Sequence, residues 1–193
     1  MAAAGDDHRP VWLLDVDGVL NAVTAEPDRS VWSQWRTGRA TARRSSWVIT
    51  WAPGVVDRID RLHRAGVVTV CWLTTWEDAA NRSLGPLLGL PTLTVAGRAA
   101  EVGDDAGPHG FLGLRAAARD RWWKLAAARR FLDPQPHRAL VWTDDDLVWE
   151  PDAREWAERR PSPTLLIAPA TGVGLTPKHL DVIERFCSRG GAA

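Results

Sequence analysis

Val11-Trp12-Leu13-Leu14-Asp15-Val16-Asp17-Gly18-Val19-Leu20-Asn21 is the stretch that decides the fold. Four apolar residues run without interruption and stop at a carboxylate. A run this short, bounded by turn-forming Asp and Gly, reads as a strand covered on both faces rather than as a helix. The same grammar recurs downstream. Val67 to Leu73 is a β-branched run ending in Thr74-Thr75, and Ala139 to Trp142 ends at Thr143-Asp144-Asp145-Asp146. Shorter strands are expected at 93–96 and 164–168.

Between these runs the apolar period changes to that of helices. Over 54–65, Val55, Val56, Ile59 and Leu62 share one face, while Asp57, Arg58, Asp60, Arg61 and Arg64 cover the other. Gly66 is placed to end that helix. Further helices are expected at 77–88, 114–132 and 152–160. Thr176-Pro177 opens a last one, with Thr as N-cap and Pro in the first helical position. Strands alternating with helices specify an α/β protein: a Rossmann-like, three-layer parallel sheet with helices on both faces. Residues 22–52 lack a helical period and alternate Trp, Ser, Arg and Thr around Arg36-Thr37-Gly38-Arg39. They read as a flap hairpin with its turn at 36–39. Residues 97–113, rich in Gly and charge, read as a loop.

With 193 residues the chain is long enough for one well-buried domain and too short for two ordinary ones. The expected organisation is a flexible tail at 1–10, one domain over 11–189 and a short tail at 190–193. Net charge is zero, so no global field points to a membrane or nucleic acid. Cys71 and Cys187 form no metal-binding spacing and fit a reducing cytoplasm. Neither a signal peptide nor a membrane span is visible, so a cytoplasmic protein is expected. Twelve tryptophans serve chiefly as packing, with stacking on bases the sharper alternative for any exposed ones. The five histidines form no recognisable site.

The chemistry lies at the strand ends. Two carboxylates, two hydroxyls and a further acidic run each follow a strand, and in an open parallel sheet those ends converge on one crevice. Several carboxylates packed together need a cation, and an all-oxygen set suits Mg²⁺. Lys124, one of two lysines in the chain, lies twenty residues before Asp144 on the preceding helix, within reach of the same crevice.

Those residues resemble the haloacid dehalogenase (HAD) superfamily. LLDVDGVL matches its first motif and VTVCWLT its second. Lys124 in WWKLAAARRFL matches the third, and ALVWTDD the fourth. DVDGVLN, LTTW and the late GVGLTP segment look most like the small domains associated with Swiss Army Knife RNA-repair proteins. The resemblance implies a Mg²⁺-dependent phosphomonoester hydrolase. Asp15 would attack phosphorus and Asp17 would serve as general acid and base. Thr74 and Lys124 would hold the phosphoryl oxygens. The metal would take the Asp15 carboxylate, the Asp17 backbone carbonyl and Asp144, with Asp145 binding through water or orienting its neighbours. Three aspartates stand in the fourth motif where many members have Gly-Asp and a later Asp, so which of Asp144, Asp145 and Asp146 touches metal stays open.

The gaps between motifs hold a hairpin and helices but no large cap domain. An uncapped crevice admits the end of a polymer. With the flap arginines, this points to nucleic-acid terminal phosphates on RNA or DNA, with Thr75, Gly18, Arg36 and Arg39 as candidate substrate contacts. A phosphatase of nucleotides or other small esters, or a catalytically silent HAD-like binding module, are the alternatives. A phosphorylated receiver domain would need an acidic pair after the first strand, a phospho-accepting Asp after the third and its lysine after the last. This chain instead has Asp-x-Asp first and the lysine nearest its acids on a helix.

Overall fold

The computed structural model describes residues 8–99 and 122–190. The first seven residues of the expected N-terminal tail, nearly all of the 97–113 loop, residues 114–121 of the expected 114–132 helix and residues 191–193 lie outside the described residues. Trp122 is not helical, and the helix described there begins at Trp123.

Strand β1, Val11–Leu14, is buried along its whole length and occupies the middle of a five-stranded sheet. Its neighbours are β4, Thr69–Trp72, and β6, Leu140–Thr143; β5, Thr94–Val95, and β7, Thr164–Ile167, form the edges. All four pairings are parallel. The chain winds outward from β1 through β4 to β5, then returns to the other side of β1 for β6 and β7. That reversal opens a crevice beyond the carboxyl ends of the central strands. Leu14 is in register with both Trp72 and Thr143, so the residues that follow, Asp15, Leu73 and Asp144, stand at one level.

Alternation along each strand feeds two cores. Trp12, Leu14, Val70, Trp72 and Val141 pack on one face against α1, Pro53–Arg64, and the last helix. Val11, Leu13, Cys71, Leu73, Leu140 and Trp142 pack on the other, against the helix Trp123–Leu132 and Ala153 of the helix Pro151–Glu158. This is the three-layer arrangement that the buried strand runs require. Both cysteines are buried free thiols. Among the described residues no cap domain is present, and no helix is long and apolar enough to cross a membrane. Trp12, Trp72 and Trp142 are fully buried, whereas Trp47 and Trp149 are exposed.

Two local expectations need correction. The flap is a hairpin of β2, Arg36–Ala42, and β3, Ser45–Trp51, but its turn is Arg43-Arg44 rather than 36–39. Gly38 lies inside β2, where a Cβ would come within 2.8 Å of Leu87 Cδ1. Glycine here permits close packing, not a turn. The segment 77–88 is not one α-helix either. A π-helical turn at Ala80–Leu84 leads into a single α turn, α2, Gly85–Leu88. Pro86 has no N–H to offer the carbonyl one turn back, so a regular α-helix is interrupted there. Gly89, with φ of 83°, ends α2. The helices that follow are α3, Trp123–Leu132, α4, Pro151–Glu158, and α5, Pro177–Gly190.

Candidate active site

The common level of the strand ends sets Asp15 and Asp144 side by side, and α3 brings Lys124 to them from its first turn. Lys124 Nζ donates to Asp15 Oδ2 at 2.7 Å and to Asp144 Oδ2 at 2.6 Å. All three residues are buried. Burial by itself would favour the neutral amine, but Asp144 and Asp15 outweigh it and hold Lys124 protonated. Burial pushes the Asp144 carboxyl well above the usual carboxylate range, against the pull of Lys124 and with Asp15 and Asp146 adding to the rise. One ammonium therefore neutralises only one of two buried carboxylates.

A third acid extends the cluster. Asp144 is the N-cap of a 3₁₀ helix, Asp145–Trp149, and its Oδ1 accepts from the Asp146 backbone N–H at 3.1 Å. That turn directs Asp145 back toward Asp15. One carboxylate oxygen from each of Asp15, Asp144 and Asp145 lies within 4.8 Å of the others. Thr171 Oγ1 donates to Asp145 Oδ2 at 2.6 Å. Burial raises Asp145, opposed by Thr171. Gly18 closes the other side of this acid. It has φ of 72°, and a Cβ there would stand 2.2 Å from Asp145 Oδ2. Hard oxygen donors, carrying more negative charge than Lys124 balances, fit a divalent cation such as Mg²⁺.

Asp17 sits on the turn that leaves β1. Its Oδ1 accepts from Asn21 Nδ2 at 2.8 Å and its Oδ2 from Trp76 Nε1 at 2.9 Å. Asn21 in turn accepts the Thr50 N–H through Oδ1, which joins the Asp17 turn to the base of the hairpin. Burial raises the Asp17 pKa, opposed by the two side-chain hydrogen bonds. Its carboxylate is thus occupied by Asn21 and Trp76 and stands outside the three-acid cluster. Thr74 is buried at the end of β4, where its Oγ1 accepts from the Trp76 backbone N–H at 3.3 Å. Thr75 is half-buried beside it.

The structure thus brings Asp15, Lys124, Asp144 and Asp145 together, with Gly18 against Asp145. Arg36 and Arg39 are exposed on β2, and Arg39 donates to Ser46 Oγ and Ser46 O across the hairpin. The sequence reading passed over Asn21, Trp76 and Thr171. Asn21 and Trp76 flank recognisable motifs, so testing each neighbour as a hydrogen-bond donor was open to it. Thr171 had no such signal, since only the fold brings its loop to Asp145.

A family model described as the HAD domain in Swiss Army Knife RNA repair proteins matches residues 11–180. The chain belongs to this family. The match runs from β1 into α5, so the HAD domain takes in the whole sheet and the residues gathered at its carboxyl edge. No curated protein and no solved structure shows a significant match. In this HAD domain the first and fourth motifs contribute Asp15 and Asp144 from adjacent strands, and Lys124 of the third motif joins them.

Proposed function

We propose that this HAD domain is a Mg²⁺-dependent phosphomonoester hydrolase that works through an aspartyl-phosphate on Asp15. The observation that carries the reading is the pairing of two differently treated acids. Asp15 accepts a hydrogen bond from the Lys124 ammonium at 2.7 Å, while Asp17, two residues on, faces no cation at that distance among the described residues and has its pKa raised by burial. A nucleophile must be deprotonated and a general acid protonated at the same pH, so opposite environments for neighbouring acids suit this division of labour.

In the first displacement an Asp15 carboxylate oxygen bonds to phosphorus as the ester P–O bond breaks. Asp17 gives its proton to the departing oxygen. In the second, Asp17 takes a proton from water, the hydroxide attacks phosphorus, and the bond to Asp15 breaks to release inorganic phosphate. Hydrogen bonds from Asn21 and Trp76 to the two Asp17 oxygens fix the plane in which this carboxyl works. Thr74 and Lys124 hold the phosphoryl oxygens as charge builds on them. Asp15, Asp144, Asp145 and the Asp17 backbone carbonyl are the groups that would hold Mg²⁺. When bound, the cation screens repulsion between nucleophile and phosphate.

The absence of a cap among the described residues supports a large substrate, and the RNA-repair association of the family supports a nucleic-acid terminal phosphate. The test is phosphate release with and without Mg²⁺, by wild type and Asp15→Asn. The panel is an aryl phosphate, mononucleotides, and RNA and DNA oligomers phosphorylated at either end. Turnover that requires both Mg²⁺ and Asp15, and favours the oligomers, is expected. Preference for mononucleotides would point to a small-ester phosphatase. No turnover by folded, Mg²⁺-binding protein would point to a silent binding module.

A further inference from the structure

The residues other than glycine that adopt a left-handed backbone among the described residues are Arg43, Arg44 and Glu77, and they meet at one place. Arg43 (φ 48°) and Arg44 (φ 65°) make the two-residue turn of the hairpin, while Glu77 (φ 48°) lies in the loop after β4. Arg43 Nη2 stands 3.7 Å from Glu77 Oε1. A two-residue hairpin turn with both φ values positive is the type I′ turn, for which Asn-Gly is the favoured pair because larger side chains crowd the backbone there. Hairpin stability therefore argues against arginine at both positions.

The position of this turn supplies a reason for them. The hairpin is a fixed wall. Thr41 N–H donates to Ser83 Oγ at 2.7 Å, Gly38 packs on Leu87, and Thr50 is bonded to both Asn21 and Ala22. Its tip consequently lies over the loop Thr74–Glu77, where the Glu77 N–H closes a tight turn on the Thr74 carbonyl. That loop carries Thr74 and the Trp76 indole that binds Asp17. The Arg43 side chain remains 62% exposed beside Glu77, and Arg44 is exposed. By contrast, Arg39 is engaged with Ser46.

We propose that Arg43 and Arg44 form a second anion subsite, which takes an internucleotide phosphate of a polynucleotide whose end occupies the Asp15 site. The inference rests on the hydrolase reading above and deepens it. A guanidinium offers paired N–H donors matched to two phosphate oxygens. Contacts to phosphate carry no base information, so strand length, not sequence, sets the preference. The strained turn then holds two cations where the passing strand needs them, at the expense of hairpin stability.

The double substitution Arg43→Asn, Arg44→Gly tests this, because it installs the favoured turn pair while removing both charges. The variant is expected to melt at the same temperature or higher and to turn over an aryl phosphate as wild type does. On terminally phosphorylated single strands of two to six nucleotides its KM is expected to rise roughly tenfold or more, with a slope of log Kd on log salt shallower by about 1.4. Unchanged KM on the longer strands would overturn the subsite, and so would an equal loss on the aryl phosphate. If wild type hydrolyses nothing, the hydrolase reading fails separately. Fluorescence anisotropy of a labelled, terminally phosphorylated hexanucleotide then decides the subsite, with Asp15→Asn protein compared with and without the double substitution. Weaker binding by the doubly substituted protein supports the subsite, and equal binding refutes it.

Discussion

Lys124 is the residue on which the burial of two acids depends. Its side chain is buried and its ammonium bonds Asp15 and Asp144 together. Lys124→Met keeps an unbranched apolar stem without the ammonium and leaves two buried carboxylates facing each other. Breaking a buried pair in this way costs about 3–5 kcal/mol. The expected outcome is a lower unfolding free energy by denaturant titration at neutral pH. In the variant the folded-state carboxyl pKa lies above its unfolded value, so the folded form binds more protons and the deficit shrinks as pH falls. A variant as stable as wild type at pH 7 would sink this account. At this scale Asp15 and Asp144 were visible as carboxylates at strand ends and Lys124 as a lysine on the preceding helix; its place in the first turn of that helix was not. The need for glycine at 18 was visible only as a turn; its close approach to Asp145 was not. Such an approach depends on two loops from different strands, about which neighbouring residues carry no information.

Elements show where local rules suffice. Thr176 Oγ1 accepts from the His179 N–H at 3.3 Å, and His179 Nδ1 accepts from the Thr176 N–H at 3.2 Å. This is a reciprocal capping box with histidine in the place usually held by Glu or Gln. The accepting Nδ1 must be unprotonated, and burial lowers the His179 pKa below its ordinary 6.5. The unfolded chain therefore binds the proton more readily than the folded one. The contribution of the cap is fully present above the unfolded value and is lost as pH falls through it toward the folded value. His179→Gln keeps an acceptor without a titration, so urea unfolding at pH 8 and pH 5.5 should show a smaller pH dependence in the variant than in wild type. Equal pH dependence in the two proteins would refute the assignment. The Thr-Pro start of α5 was legible because a cap is a matter of adjacent residues. The arginine turn and the π-helical turn were not. The first violates the residue preference that identifies turns, and the second hides in an ordinary-looking helical period until Pro86 interrupts it.

For the molecule as a whole, the sheet order is what turns separate motifs into a site. The chain leaves β1 on one side and returns on the other, so Asp15 stands level with Leu73, the residue before Thr74, on one side and with Asp144 on the other. A cation binding there binds the folded state alone and raises its stability by about 2.7 kcal/mol at one hundred times its Kd. Mg²⁺ is expected to raise the melting temperature of wild type in a thermal-shift assay and to raise that of Asp144→Asn far less. An equal shift in both would mean that the ion binds elsewhere on the chain.

The sequence by itself determined the class of the fold, because uninterrupted apolar runs can be buried only in a sheet covered on both faces and alternating helices supply that cover. It also determined the residue types available at the strand ends, since a carboxylate or hydroxyl that terminates an apolar run is a local fact. Tertiary structure alone decided which of those groups meet and what secures them. The bond from Lys124 to two acids, the Trp76 bond to Asp17 and the Thr171 contact with Asp145 join positions far apart along the chain. Their proximity follows from strand order and register, which a linear pattern constrains only through the packing of the whole.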